Sequence, residues 1–410
     1  MERSPVPFPV HRDDPLHPPA EYAALLDGPP TRVRTPDGAE HWMVSRLADV
    51  RAVLADPRFS ADDTHPNFPN LLPLPTVPGA LSFLRMDDPE HARLRRTLTA
   101  EFTVRRVGRM RPEITETVDA LLDEMAGQGP PADLVAAFAL PLPSLVICRL
   151  LGVPYADHDF FQERSAESLR LDVTRDEALA AFAELAAYLD GLVADKEREP
   201  TDDLLGRVAR RVRSGELGHE EAVAMARLLL LAGHETTANM IGLGTYALLR
   251  HPDELARLRA DPALVRPAVE ELLRYLTIVH RGTQRVAREP VEVGGVTIGA
   301  GEGVVVALAA ADRDPGAFAE PGAFDPSRPP GHHVAFGFGA HQCIGQTLAR
   351  LEMEIAFARM LERLPGLALA CAPEDVVFRD SVVYGVETLP VTWSGETSGE
   401  TSVETSGGTP

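Results

Sequence analysis

The pattern of apolar and polar positions divides the chain into one long helical stretch with shorter β-like segments at its sides. The segment HWMVSRLADVRAVLAD, residues 41–56, predicts a strand and then a short helix that stops at Pro57. Helical periodicity then dominates from Asp88 to Leu276. Asp88 is the expected N-cap of the first of these helices, with Pro89 as its first helical residue.

After Leu276 the pattern changes to one typical of strands. The segment VEVGGVTIGAGEGVVVAL, residues 291–308, is rich in glycine and valine and predicts strands joined by turns. A last periodic helix follows Cys343, and VETLPVTW, residues 386–393, predicts a closing β segment. The chain is therefore predicted to be mainly α with small β-sheets.

Composition at the two ends sets the predicted domain limits. Residues 1–40 are rich in proline and polar residues, which predicts a segment that wraps the surface. Residues 41–393 are predicted to form a single domain. Residues 394–410 repeat GETS, GETS and VETS, a composition typical of disorder. Within the domain, residues 61–80 contain five prolines and predict a loop long enough to be functional.

Composition and charge exclude several classes of protein. Of the 410 residues 44% are hydrophobic and 25% charged, which is typical of a soluble globular protein. No run of about 18 apolar residues and no signal-peptide pattern is present, and three widely spaced cysteines fit a reducing compartment, so we expect a cytoplasmic protein. The net charge of −21 argues against binding to nucleic acid or an anionic membrane. Only residues 93–111 oppose it, with seven arginines and one glutamate.

The chemistry centres on one cysteine in a glycine-rich loop, within AFGFGAHQCIGQTLARLE at residues 335–352. A thiolate that binds a metal needs N–H donors, a helix N-terminus and glycines that allow close backbone approach. Gly337 and Gly339 supply a bend before Cys343, Gly345 follows it, and the last helix begins there. Phe336 offers a flat apolar surface beside the sulfur. This setting predicts haem iron held by one thiolate.

Two alternatives to this interpretation are a small buried cysteine without chemistry and a zinc site. Zinc could use His332, His333, His341 and Cys343, but the usual paired spacing of zinc ligands is absent. The pattern F-G-x-G-x-H-x-C-x-G would arise by chance in roughly two of a million chains with these residue frequencies. The pattern therefore favours haem.

The segment FGFGAHQCIG, residues 336–345, resembles the cysteine-ligand loop of the cytochromes P450 at every fixed position. The resemblance extends from about Trp42 to Trp393. With LLAGHETTANMI and VYGVETLPVTW, the chain looks like the actinobacterial enzymes that tailor natural products or oxidise foreign compounds. It implies the cytochrome P450 fold, a triangular prism with a long central helix over the haem. It also implies haem b, with Cys343 as the axial thiolate ligand of the iron, in a monomer.

A helix from about His219 to Arg250 is apolar on nearly every face, so we expect it to be buried. Its polar residues Glu235 and Thr236 can be interpreted in two ways. The threonine can bond back to the carbonyl one turn earlier, or the polar group can mark a helix defect that admits water and dioxygen. The resemblance implies that this acid and alcohol deliver the protons with which dioxygen is cleaved, and we favour that interpretation.

Haem carries two propionates, which need cations. His91 and Arg95 lie four residues apart on one helix face, and alone they would indicate only a solvated surface. The resemblance places both against a propionate, together with Arg285 and His341. Further cofactor contacts are implied for Phe336, Gly345 and Ala232.

Two further features carry a structural meaning in the family. Glu271 and Arg274 resemble its ion-pair motif, which implies a network with Arg328 that supports the scaffold. Asp312 stands where the family usually has asparagine, and because both residues can cap a turn we expect little consequence.

The resulting hypothesis is a monooxygenase that uses O2 to hydroxylate or epoxidise a bulky hydrophobic small molecule. The alternatives are a haem-thiolate enzyme of oxidative coupling or dehydrogenation, and a haem-binding sensor; the intact Glu235 and Thr236 pair favours oxygen insertion. The expected pocket segments are residues 62–83, 162–182 and 277–283 and the turn near Val383. Their apolar residues include Leu71, Leu72, Leu74, Val77, Leu81, Ile278 and Val279.

The electron donor must be a separate protein, because the sequence contains no flavin-binding or iron–sulfur domain. The resemblance implies a ferredoxin and an NAD(P)H-dependent ferredoxin reductase. Ferredoxins are typically acidic, so a local basic patch is needed on a chain whose overall charge is negative. The residues predicted for this patch are Arg93, Arg96, Arg105 and Arg109.

Overall fold

The structure is a computed structural model of the 410-residue chain. It describes residues 5–71, 82–169, 174–329, 332–379 and 381–394. The predictions for Leu72, Leu74, Val77 and Leu81, and for nearly all of the repeat tail, lie outside the described residues.

Helices form most of the described chain, and their order matches the predicted helical stretch. They are α1 (Glu21–Leu26), α2 (Leu47–Ala55), α3 (Glu90–Thr99), α4 (Val104–Gly108), α5 (Arg111–Gln128), α6 (Pro141–Leu151), α7 (His158–Leu169), α8 (Arg175–Arg198), α9 (Leu204–Arg213), α10 (His219–Arg250), α11 (Pro252–Ala260), α12 (Val265–Leu276), α13 (Leu308–Ala311) and α14 (Gln346–Arg363). The end of the helical stretch at Leu276 is confirmed. Helix α3 begins one residue later than predicted, at Glu90, but the Asp88 carboxylate does accept a hydrogen bond from the Ala92 N–H at 3.0 Å.

The strands are short and form small sheets. They are β1 (Val6–Pro7), β2 (Thr31–Arg34), β3 (Glu40–Val44), β4 (Phe59–Ser60), β5 (Ala132–Asp133), β6 (Thr283–Ala287), β7 (Val291–Val293), β8 (Val296–Ile298), β9 (Gly303–Val306), β10 (Ala368–Leu369), β11 (Phe378–Arg379), β12 (Gly385–Val386) and β13 (Pro390–Thr392). The largest sheet has the order β1-β2-β3-β9-β6-β4, with β3 parallel to β9. The predicted strands of residues 41–56, 291–308 and 386–393 are confirmed.

Helix α10 lies at the centre of the helical part. Its 32 residues give it a length of about 48 Å, and most of its side chains are buried, as predicted. Glycines allow its neighbours to approach closely. A Cβ on Gly233 would lie 2.8 Å from Ile147 Cδ1 of α6, and a Cβ on Gly244 would lie 2.8 Å from Phe357 Cζ of α14. Helices α6 and α14 are therefore packed directly against the α10 backbone.

The N-terminal segment contributes to the interior of the fold. Strand β2 is hydrogen-bonded to β3 within the largest sheet, and Val33 of β2 is fully buried. Phe8 and Tyr22 are also buried, in a cluster that includes Met43. The expectation of a segment that only wraps the surface is therefore incomplete, because tertiary pairing recruits these residues. The domain limits themselves stay a prediction.

The predicted ion-pair network fixes α12 against the loops before Cys343. Glu271 and Arg274 are almost fully buried, and the Arg274 guanidinium donates to Glu271 Oε1 at 2.6 Å and Oε2 at 2.7 Å. Arg328 Nε donates to Glu271 Oε1 at 3.1 Å. Arg274 also donates to the carbonyl oxygens of Asp312 and Pro321. This network is confirmed, and it holds an irregular segment that has little regular secondary structure.

Replacing Glu271 with alanine should lower the free energy of unfolding by roughly 3–5 kcal/mol, because two guanidiniums lose their carboxylate and one stays buried without a counter-charge. The matched control is Glu254→Ala. Glu254 has the same spacing to Arg257 and an ion pair of 2.7 Å, but the pair is largely exposed. The control should cost less than about 1 kcal/mol. Urea unfolding of the haem-loaded protein measures both values, and equal losses would contradict the buried network.

Candidate active site

The loop before Cys343 is folded tightly against α2. The Cys343 N–H donates to Phe336 O at 2.9 Å, and the Gly337 N–H donates to Val334 O at 2.8 Å. Gly337 and Gly339 have φ angles of +70° and +73°, which favour glycine. A Cβ on Gly339 would lie only 2.3 Å from Leu54 O of α2. The two glycines therefore supply the bend before Cys343 that the sequence predicts.

The Cys343 sulfur lies at the N-terminus of α14. Burial raises the pKa of its thiol, while N–H groups of Gly345 and Gln346 and the charges of Arg95 and Arg350 act in the opposite direction. Solvent reaches the side chain, although protein atoms surround it on most sides. The thiol thus has the donors that a thiolate ligand needs.

The other two cysteines lack this setting. Cys148 is packed in the core on α6, and burial raises the pKa of its thiol to about 12. Cys371 is half-buried in the loop after β10. Among the three cysteines, Cys343 alone combines an exposed side chain with amide donors at its sulfur.

The guanidiniums of Arg95 and Arg285 and the imidazoles of His91 and His341 meet beside this loop, and these four residues are called here the cationic cluster. The rings of His91 and His341 have centroids 4.1 Å apart. Burial, and then the charges of Arg285, His91 and Arg95, lower the pKa of His341 to about 3. Burial and the charge of Arg85 lower the pKa of Arg285 to about 10. The structure therefore brings the four predicted residues together.

Only the Asp88 carboxylate pairs with the cationic cluster in the described part of the chain. His91 Nδ1 lies 2.9 Å from Asp88 Oδ1, but His91 Nε2 is buried and has no hydrogen-bond partner there. The Arg285 guanidinium donates to the Gln284 carbonyl oxygen at 2.7 Å and to no carboxylate among the described residues. Arg95 donates to Gln342 O, next to Cys343. Two guanidiniums without a carboxylate partner, beside two imidazoles that can donate N–H bonds, favour an anionic ligand, so these residues fit the propionates of a haem.

The residues of the zinc alternative are not brought together. His333 Nε2 lies 3.1 Å from Glu270 Oε2 of α12, which turns its imidazole away from Cys343. Across the described ranges no group of three or more metal-binding side chains is found.

The Phe336 ring, which the sequence predicts beside the sulfur, contacts Arg350, with the guanidinium carbon 4.5 Å from the ring centroid.

Helix α10 presents two different faces at the predicted acid and alcohol. Ala232 is exposed and Thr236 partly so, and they lie one turn apart on the same accessible face. Thr236 Oγ1 donates to Ala232 O at 2.8 Å. The helix runs unbroken from His219 to Arg250. The back-bonded threonine of the alternative interpretation is therefore present, and the helix defect stays a prediction.

Glu235 lies on the other, buried face of α10 and has a partner that the sequence did not reveal. Its Oε2 lies 3.4 Å from Arg379 Nη1 of β11 and 3.4 Å from Asn239 Nδ2. Arg379 stands in a two-residue strand, 144 positions away in sequence. No local pattern of charge or hydrophobicity marks such a long-range pair.

The predicted pocket segments are joined in part. The Tyr384 N–H donates to Ile278 O at 2.9 Å, so the turn near Val383 adjoins residues 277–283. Val279 is partly buried and packs against the cluster around β9. Leu71 packs with Phe8 and its neighbours in a core cluster, and its place at the pocket stays a prediction.

Asp312 lies under the start of the Cys343 loop. Its carboxylate accepts hydrogen bonds from the Val334 N–H at 2.7 Å and the Thr277 hydroxyl at 2.9 Å. Burial raises the pKa of Asp312. An asparagine oxygen can accept the same two hydrogen bonds, so the departure from the family keeps the contacts; its small consequence stays a prediction.

Comparison with known proteins identifies the fold and the family. The cytochrome P450 family model matches residues 174–365. Cytochrome P450-SU2 of Streptomyces griseolus is 54% identical over 371 residues, 89% of this chain and 91% of the relative. Pentalenic acid synthase of Streptomyces avermitilis is 51% identical over 395 residues, 95% and 98% of the two chains. The crystal structure of the mycinamicin VIII C21 methyl hydroxylase of Micromonospora griseorubida matches with a TM-score of 0.90 at 43% identity, over 95% of this chain and all of that one.

The chain belongs to the cytochrome P450 family. It has the fold of that family, a triangular prism with a long central helix, which is α10. It is an oxidoreductase of the P450 monooxygenase class, and its cofactor is haem b bound through a cysteine thiolate. Within the described ranges, no helix is long and apolar enough to cross a membrane.

Replacing Gly339 with alanine should reduce both stability and haem content, because the new Cβ meets the Leu54 carbonyl as well as adopting an unfavourable φ. Gly337→Ala is the matched control, since its φ is similar but no atom lies within 4 Å of the new Cβ. The control should cost about 1–2 kcal/mol, and Gly339→Ala distinctly more. Thermal unfolding and the haem-to-protein ratio measure this. Equal effects would show that contact with α2 does not shape the loop.

Proposed function

We propose that this protein is a monooxygenase that hydroxylates or epoxidises a bulky hydrophobic small molecule, in natural-product tailoring or in the oxidation of foreign compounds. One observation carries the proposal. Arg95 donates a hydrogen bond to Gln342 O beside Cys343, and its positive charge lowers the pKa of both the Cys343 thiol and His341. A cysteine with ligand geometry and the cationic cluster thus belong to one site, which suits haem.

We assign Cys343 as the axial ligand and the cationic cluster as the partner of the propionates. Each guanidinium and imidazole supplies N–H donors and positive charge in a buried setting, where such contacts are strong. Phe336, Gly345 and Ala232 would contact the macrocycle, because each offers an apolar or side-chain-free surface. When bound, haem supplies the site that accepts electrons and activates dioxygen.

We assign Glu235 and Thr236 as the groups that hold and move protons. The Thr236 hydroxyl donates its hydrogen to Ala232 O, so its oxygen lone pairs are free to accept a hydrogen bond on the accessible face of α10. Glu235 is a carboxylic acid one residue away, on the buried side. A carboxylate and a hydroxyl that act one after the other can pass protons from the interior to the accessible face of α10.

The substrate class is inferred from the pocket segments and the relatives. Ile278 and Val383 are apolar and lie in segments joined by the Tyr384 hydrogen bond. Two relatives are a pentalenic acid synthase and a mycinamicin VIII C21 methyl hydroxylase. Apolar pocket walls and natural-product relatives both support a large hydrophobic molecule. The three free cysteines agree with action in the reducing cytoplasm.

Replacing Thr236 with alanine should leave haem and substrate binding intact and divert electrons from product to hydrogen peroxide, because the hydroxyl of the proton path is lost. Product formed per electron should fall roughly tenfold or more. Thr245→Ala is the matched control, because Thr245 makes the same back-bond to Ile241 O at 2.8 Å elsewhere on α10. Coupled assays of product and peroxide measure the ratio. An unchanged ratio in Thr236→Ala would favour the oxidative-coupling alternative.

We further propose that a ferredoxin, recharged by its NAD(P)H-dependent reductase, docks at the basic segment of α3 and α4. Helix α4 packs against α14, and Arg95 of α3 donates to Gln342 O next to Cys343, so the basic segment adjoins the Cys343 loop. Arg93 is paired with Glu221, Arg106 with Glu101 and Arg111 with Glu354.

Three arginines of the basic segment, Arg96, Arg105 and Arg109, are exposed and have no carboxylate partner among the described residues. Val104, with 76% of its surface exposed, adds an apolar contact between them. We therefore assign docking to Arg96, Arg105 and Arg109, whereas the charge of Arg93 is already compensated.

Reversing the charge of both Arg105 and Arg109 to glutamate should raise the ferredoxin concentration for half-maximal rate roughly tenfold at low salt and weaken its salt dependence. Substrate binding should not change. The control, Arg34→Glu with Arg58→Glu, changes the net charge equally on exposed residues of the β-rich part. Equal effects of the two double variants would indicate only global charge, and no effect of the first would move the docking site elsewhere.

A further inference from the structure

The two carboxylate oxygens of Glu235 have different surroundings. Oε2 takes both polar contacts, from Arg379 Nη1 and Asn239 Nδ2. Oε1 faces His234 Nε2 at 3.8 Å, which is too long for a hydrogen bond. Among the described residues, Arg379 is the arginine within ion-pair distance of this carboxylate.

The buried His234 ring explains why Oε1 stays without a hydrogen bond. His234 Nδ1 lies 2.7 Å from Leu230 O, and a carbonyl can only accept, so Nδ1 carries a proton. His234 Nε2 has no hydrogen-bond partner among the described residues. Oε1 is therefore the carboxylate oxygen of Glu235 that no described donor binds.

The position of Arg379 is fixed by the backbone of a small hairpin. Arg379 in β11 is paired across the sheet with Gly385 in β12. A Cβ on Gly385 would lie 1.8 Å from Asn239 Oδ1, so only glycine lets the hairpin approach α10 here. The same hairpin thus contacts Asn239 through its backbone and Glu235 through the Arg379 guanidinium.

This hairpin also carries the turn that we place at the pocket wall. The Tyr384 N–H donates to Ile278 O, and Val383 is buried beside it. The residues at the proposed pocket wall and the arginine that holds Glu235 therefore stand on the same two-stranded unit. A displacement of the turn would change the distance between Arg379 and Glu235.

We propose that Arg379 is a positioning residue for Glu235, whose guanidinium holds Oε2 and thereby keeps Oε1 as the oxygen that exchanges protons. The inference rests on the proposed function of Glu235 in proton movement. It assigns a role to the hairpin of β11 and β12 beyond closing the fold, since the hairpin links the pocket wall to the acid.

The competing explanation is an ion pair that only stabilises the hairpin. Such a pair would affect folding and leave the partition of electrons unchanged. A positioning role would instead change the partition, would depend on the presence of Glu235, and would be restored by another cation at the same place.

The experiment compares Arg379→Gln, Arg379→Lys, Glu235→Gln and the double variant Arg379→Gln with Glu235→Gln in the haem-loaded protein. Val377→Gln is the control, because Val377 is exposed on the same strand segment and has no role in the pair. Product per electron, peroxide per electron and the substrate-induced spectral shift are measured. Infrared spectra are also recorded on protein with 13C-labelled glutamate. Subtracting the spectrum of Glu235→Gln isolates the carboxylate stretch of Glu235, which is a measurement independent of turnover.

Arg379→Gln should lower product per electron roughly tenfold with unchanged substrate affinity, and should shift the carboxylate stretch. Arg379→Lys should restore most of the product per electron and most of the original carboxylate stretch. In the Glu235→Gln background, Arg379→Gln should change product per electron by less than about twofold. An unshifted stretch, or an equal loss in both backgrounds, would overturn the positioning role. If Glu235→Gln itself leaves the partition unchanged, the proposed relay fails, whatever Arg379 does to the infrared band.

Discussion

A thiol surrounded by protein atoms resists ionisation, and the structure around Cys343 depends on offsetting that cost. Burial raises the pKa of Cys343, while the N–H groups of Gly345 and Gln346 and the charge of Arg95 act against it. These amides point at the sulfur because the chain turns sharply before α14. That turn requires the positive φ of Gly339, which lies against the carbonyl of Leu54. The ligand site therefore depends mainly on backbone geometry, and the side-chain charges add to it.

The same principle extends from the sulfur to the cations. A buried positive charge is costly without a counter-ion, yet the buried Arg285 guanidinium has no carboxylate partner among the described residues and lies beside the imidazoles of His91 and His341. Their arrangement stores an electrostatic cost that an anionic cofactor would relieve. Binding of haem should therefore stabilise the folded protein through both its iron and its propionates.

Much of the fold and of the site could be predicted from the sequence because the signals are local. Helix α10 follows from its apolar faces, and its end follows from His251 and the proline after it. The Cys343 loop follows from glycines at fixed spacing. What the sequence could not reveal depends on tertiary contacts: Arg379 reaches Glu235 from a strand of two residues, and Glu221 neutralises Arg93 from another helix. At Thr236 the structure contains the local back-bond that the sequence had offered as one of two interpretations.

The central claim, that Cys343 holds the haem iron as a thiolate, is tested most directly by the absorption spectrum of the reduced, carbon-monoxide-bound protein. Cys343→Ser should lose the band of thiolate-ligated haem, while Cys148→Ser and Cys371→Ser should keep it, since neither residue is an exposed thiol at a helix N-terminus. A thiolate spectrum that persists in Cys343→Ser, and disappears in one of the other two variants, would contradict the account.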